Sequence, residues 1–111
     1  MQTEIAILGA GPGGDVAALR AAQLGAQVTI IEESDLGGVC LNVGCIPTKA
    51  LLRSAEVFRT MQHAKNYGLR VVGAVEPDWP AILKRKKRVV KRLVGGVGVL
   101  LRKAGVQVIQ G

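Results

Sequence analysis

The chain has 111 residues, 49% of them hydrophobic, 21% charged and only 3% aromatic, with a formal net charge of +7. That length supports one domain, or part of a larger one, with a single modest core, and the composition excludes a disordered chain. No apolar run approaches the roughly 18 residues that a membrane span needs, and no leader is expected before the strand-like start, so a soluble cytoplasmic protein is predicted.

Residues 4–8 read as a short buried strand that ends in the glycine turn "GAGPGG". A helix of about three turns follows through "GDVAALRAAQLG", with Gly25 as its C-cap. "AQVTIIE" is a second buried strand carrying Glu32 and Glu33 at its carboxyl end. The turn between the first strand and helix is GxGxxG, formed by Gly9, Gly11 and Gly14 with Pro12 and Gly13 between them. In that pattern the first glycine permits a tight turn and the second admits a pyrophosphate. The third lets the helix pack closely, and the helix N-terminus offers free amides to phosphate. An acid about 20 residues on completes a dinucleotide fingerprint. Glu32 is placed to accept from a ribose hydroxyl, and a carboxylate there repels a 2′-phosphate, which argues against NADP. Asp15 suits the dipole of the first helical turn but sits close to where phosphates would lie.

The stretch "GGVCLNVGCIPTKALL", residues 37–52, holds both cysteines, Cys40 and Cys45. Structural zinc needs four ligands, and only the distant His63 could join them, so no metal site is expected. Two positions five apart in an ideal helix are about 8.6 Å apart at Cα. A disulfide wants roughly 4.4–6.8 Å. If the two pair, Cys40 precedes the regular turns or the backbone is distorted across Asn42, Val43 and Gly44. So short a loop gives a bridge little entropic value, which makes redox chemistry the better reason for one. Two incidental free thiols remain the alternative. Cys45, near a helix start with Lys49 one turn on, suits the stabilised thiolate. Cys40 is expected to be the more accessible sulfur.

A helix is predicted from about Pro47 to Ala64, with His63 exposed. "LRVVGAV" reads as a short strand or an extended loop. Asp78 is the expected N-cap, with Pro80 in the first turn, of a helix running to about Lys103; Gly95, Gly96 and Gly98 are where it could break. Lys84, Arg85, Lys86, Lys87, Arg88, Lys91 and Arg92 supply about half of the cations, interleaved with apolar residues at helical spacing. This reads as the solvated face of an amphipathic helix rather than a nucleic-acid surface, since few aromatics are present to stack bases. "GVQVIQG" is a last strand. The order predicts an α/β fold, a partial Rossmann-like domain in three layers whose parallel sheet has about three strands.

With both motifs placed, the chain resembles the N-terminal part of the flavoprotein disulfide reductases over essentially its whole length. Leu41, Ile46 and Ala50-Leu51-Leu52 are most similar to the dihydrolipoamide dehydrogenase branch rather than to glutathione or mercuric reductases. Thr48 stands where that family more often has Ser, and Asp15 where it often has Tyr or a small residue. The resemblance implies FAD, its pyrophosphate held by Gly9, Gly11, Pro12, Gly13 and Gly14 and its adenosine ribose by Glu32, beside Glu33. Gly38, Val39, Cys40 and Lys49 would line the flavin side. Cys40 would be the interchange thiol and Cys45 the one that exchanges electrons with the flavin.

It further implies a full-length enzyme that oxidises protein-bound dihydrolipoamide and reduces NAD⁺. Its partners would be the lipoyl domains of 2-oxo acid dehydrogenase complexes, and it would be a homodimer with no nucleic-acid or membrane partner. The family's NAD-binding and dimerisation domains, with their His–Glu base, fall outside these residues, so turnover by this chain alone is not expected. The rival readings are another flavin disulfide reductase of the glutathione or mercuric reductase kind, a truncated non-catalytic dinucleotide-binding module, and a basic interaction domain using the 84–92 cluster.

Overall fold

A computed structural model describes residues 2–111. Three strands, β1 (Ile5–Leu8), β2 (Val28–Glu32) and β3 (Gln107–Gln110), form one parallel sheet in the order β1-β2-β3. Ile7 is registered with Ile30, and Ile30 with Val108. The middle strand, with neighbours on both sides, is the buried one, and its Ile30 is fully enclosed. The α/β expectation holds.

Helix α1 (Pro12–Gln23) follows the glycine turn. It starts two residues before the expected Gly14, because Pro12 occupies N1, where a missing N–H costs nothing. Ala18 of α1 and Leu101 of α4 (Trp79–Lys103) meet Val28, Ile30 and Val106 in the core. Gly25 takes φ +96°, the left-handed turn expected after the helix.

Two helices follow β2, α2 (Gly38–Asn42), where none was expected, and α3 (Cys45–Gln62). Helix α3 starts at Cys45 rather than Pro47. Pro47 sits inside the first turn, where backbone N–H groups have no intrahelical partner. A 3-10 turn over Ala64–Tyr67 follows, and residues 69–75 are an extended loop rather than a strand.

Asp78 caps α4 as expected, its carboxylate accepting from the Ala81 amide at 3.0 Å. The glycines at 95, 96 and 98 do not break α4. Each costs about 1 kcal/mol against alanine. Val97 and Leu101, packed on the core around them, offset that, and Gly98 leaves room for Leu36. Helix α4 runs antiparallel to α3: Phe58 and Met61 face Ala81 and Ile82, while Asn42 faces Val90 and Val94. Arg85 ties the pair by donating to the Ala50 carbonyl at 3.0 Å. This hairpin projects from the sheet, so the radius of gyration is 19.4 Å. A compact domain of this length has about 13 Å. No helix among the described residues is long and apolar enough to cross a membrane.

Candidate functional site: a glycine turn and a cysteine pair

The three parallel strands end together, and the glycine turn leaves the sheet there. Gly9 adopts φ +91°, so a side-chain-bearing residue would be strained at the bend. At Gly14 a Cβ would overlap the Gly9 carbonyl oxygen and touch Ile7, so only glycine lets α1 lie this close to β1. Gly11 is the N-cap of α1 and no side chain caps the helix. The space that a Cβ would occupy at Gly11 and Gly13 is open, and the first-turn amides face no capping group. This is an uncapped anion cradle of the kind a dinucleotide pyrophosphate uses.

Glu32 ends β2 and is only 7% exposed. Its Oε2 accepts from the Ala10 amide at 2.7 Å and its Oε1 from the Ser34 amide at 2.8 Å. These bonds, Ala10 first, hold the carboxyl below its usual range, against the opposing pull of burial. The carboxylate therefore clamps the glycine turn onto the end of β2, a role the sequence did not reveal, and retains lone pairs for a ligand hydroxyl. Glu33 is exposed, and both acids line a cleft of about 280 Å³ with Leu8, Gly9, Ile31 and Gly111. Ligands of open parallel sheets bind in such a crevice at the strand carboxyl ends.

The cysteine pair is attached to the same turn. Gly37, buried with φ +89°, donates its amide to the Ala10 carbonyl at 2.7 Å. A Cβ on Gly38 would come within 2.8 Å of the Gly11 Cα. Only the glycine pair at 37 and 38 lets α2 begin against the cradle. Gly37 was not singled out from sequence, although a double glycine ahead of a short helix was there to be noticed.

Helix α2 stops at Asn42, whose side-chain amide donates to the Leu36 and Gly38 carbonyls at 3.0 and 2.9 Å. Val43 and Gly44 break the helical path, and α3 restarts at Cys45. The Cα atoms of Cys40 and Cys45 thus lie 4.7 Å apart and the two form a disulfide. The irregularity across 42–44 is the one expected if the two pair.

Accessibility departs from expectation. Cys45 is exposed and Cys40 half-buried. Cys40 lies under the Gly44 backbone, whereas Cys45 heads α3 with open surroundings. Lys49 is exposed one turn along α3, and Val39 is 73% exposed beside Cys40. No side chain caps α3, so its positive end acts on Cys45 directly. His63 is exposed at the end of α3, its Nδ1 2.8 Å from the Arg59 carbonyl. Asp15 is buried in α1, and its Oδ1 has no partner among the described residues.

Residues 3–111 match the family described as pyridine nucleotide-disulphide oxidoreductase. The chain belongs to that family. Among curated relatives, the dihydrolipoyl dehydrogenase of Acholeplasma laidlawii is 52% identical over 108 residues, 97% of the chain and 32% of the relative. That of Zymomonas mobilis is 53% identical over 110 residues, covering 97% and 23%. A crystal structure of LpdA from Mycobacterium tuberculosis superposes with a TM-score of 0.86 at 32% identity, over 99% of this chain and 24% of that one. The chain thus spans roughly a quarter to a third of the length of these curated relatives.

Proposed function

We propose that these residues are the N-terminal part of the FAD-binding domain of a dihydrolipoamide-oxidising flavoenzyme, soluble and cytoplasmic, that reduces NAD⁺. The observation that carries this is the attachment of the Cys40–Cys45 disulfide to the glycine turn through Gly37 and Gly38. The dihydrolipoyl dehydrogenase names of the half-identical relatives support the lipoamide branch over glutathione or mercuric reduction.

The cradle suits the cofactor. Gly9, Gly11, Pro12, Gly13 and Gly14 would hold the pyrophosphate of FAD, with Glu32 and Glu33 at the adenosine end. Gly38, Val39, Cys40, Cys45 and Lys49 would border the flavin. When bound, FAD would take two electrons from the reduced pair and pass them to NAD⁺.

The protein's own step is thiol–disulfide exchange. A substrate thiolate attacks the Cys40 sulfur, the Cys40–Cys45 bond breaks, and Cys45 leaves as thiolate, stabilised by the α3 N-terminus. The second substrate thiol then displaces Cys40. The substrate ends as a disulfide and the protein as two thiols. With Cys45 and Lys49 holding the flavin side, Cys40 would be the sulfur left to meet substrate. The family's His–Glu base, NAD site and homodimer contacts would come from chain outside residues 1–111, and lipoyl domains of a 2-oxo acid dehydrogenase complex would be the physiological substrates.

The test is dihydrolipoamide-dependent NAD⁺ reduction by the full-length protein. Activity that vanishes in Cys40→Ser and Cys45→Ser variants is the expected result; equal activity in those variants would overturn the reading.

A further inference from the structure

Helix α4 contains nine lysines and arginines and not one aspartate or glutamate. Seven of the cations are exposed, and five of these, Lys84, Lys87, Arg88, Lys91 and Arg92, lie together over 84–92. At about 100° per residue they fall on one arc, and neighbours three or four apart repel one another. Among the described residues the sole salt bridge is Arg53–Glu56, so none of the α4 cations is held in an ion pair there. An ordinary solvated helix face mixes both signs. This face is of one sign and lies beside the redox pair. Lys86, Lys87 and Lys91 line a groove of about 460 Å³ with Val90, Val94, Gly95 and Asn42, and Asn42 stands two positions after Cys40 on α2.

We infer that this basic face of α4 docks the acidic surface of a folded carrier protein that presents its dithiol to Cys40. This rests on the dithiol-oxidising reading above. Lys84 to Arg92 spans about 12 Å of helix, too long for a single small anion and suited to a protein surface. The three aromatic residues of the chain, Phe58, Tyr67 and Trp79, all lie outside 84–92, so the face offers no platform for stacking bases. Complementary charge raises encounter rates and aligns the partner, and salt weakens it.

The experiment follows the second-order rate of reduction of Cys40–Cys45 in the full-length protein, read as thiol release. Two probes are compared: neutral dihydrolipoamide, and a reduced lipoylated domain with a net negative charge. In Lys87→Glu/Lys91→Glu, and more mildly in Lys87→Gln/Lys91→Gln, the acidic domain should react about tenfold slower or worse. Dihydrolipoamide should change less than about twofold, since an exposed charge hardly steers a neutral probe. Raising the salt should slow the acidic domain with the parent protein and have little effect with the variants. Equal responses of the two probes to the substitutions would overturn the docking inference alone. Failure of both probes to reduce the parent disulfide would overturn the dithiol reading with it. Tight binding of an oligothymidine that competes with the acidic domain, lost in the same variants, would make this a nucleic-acid surface and also overturn the inference.

Discussion

Cys40 and Cys45 are five positions apart yet 4.7 Å apart at Cα, because Gly44 carries the chain across the Val39–Cys40 backbone between two helices. The pair is therefore held by main-chain packing rather than by a regular helix. The helix that restarts at Cys45 brings its positive end to one sulfur only.

Gly44 is expected to tolerate no side chain. A Cβ there would lie 3.0 Å from the Val39 carbonyl oxygen, tighter than ordinary contact. Gly44→Ala should lose about 1–3 kcal/mol of stability by overpacking. Urea denaturation of the oxidised protein checks this; an unchanged midpoint would show that α2 and α3 move apart freely.

Cys45 is expected to be the acidic thiol of the reduced pair. In a Cys40→Ser variant Cys45, at the uncapped start of α3, should be alkylated faster near neutral pH than an ordinary free cysteine. The converse variant, Cys45→Ser, should leave Cys40, half-buried in the short α2, alkylated more slowly. An iodoacetamide pH profile of the two variants makes the comparison.

The parts of this architecture that repeat or alternate were readable before any coordinates. The strand of Val28 to Glu32, the apolar spacing of α4 and the Asp78–Pro80 start each state their conformation locally. Helix α2 does not. Five residues are too few for a period of 3.6, and what holds them is the contact of Gly38 with Gly11 and the reach of Asn42 back to Leu36 and Gly38. For the same reason the helix start moved from Pro47 to Cys45, and the accessibilities of the two sulfurs came out reversed. The acid at position 32 was legible as a ligand-facing group, but its grip on the Ala10 and Ser34 amides depends on how the turn folds back over β2.

Glu32→Gln should loosen the cradle. The replacement amide can accept at one atom only, so either the Ala10 or the Ser34 amide loses its partner. FAD affinity, followed by flavin fluorescence quenching, should fall about tenfold or more, in keeping with roughly 1.4 kcal/mol for a lost hydrogen bond to a charged group. The carboxyl's folded-state pKa is depressed, so its stabilisation is complete above the unfolded value of 4.5 and fades as pH drops through the lower folded value. The Gln variant should lack that acid-side loss.

Asp15 works in the opposite sense. Burial raises its pKa, with the Val16 amide pulling the other way, and its Oδ1 is unpartnered among the described residues. Its ionised form therefore costs stability above the raised folded-state pKa. That cost is relieved as pH falls toward the unfolded value of 3.8. Asp15→Ala should raise stability at neutral pH by about 1 kcal/mol, the lower end for an unsatisfied buried group, and the gain should shrink on acidification. Thermal melts of both proteins across the acid range test the sign.

The most direct test of the account joins the cradle to the disulfide: flavin titration of the full-length protein, followed by one equivalent of dihydrolipoamide. The account predicts stoichiometric uptake of FAD and a change in its absorbance on adding dithiol that is abolished in Cys40→Ser. Failure to take up FAD, or a flavin indifferent to dithiol while Cys40 and Cys45 are reduced, would contradict it.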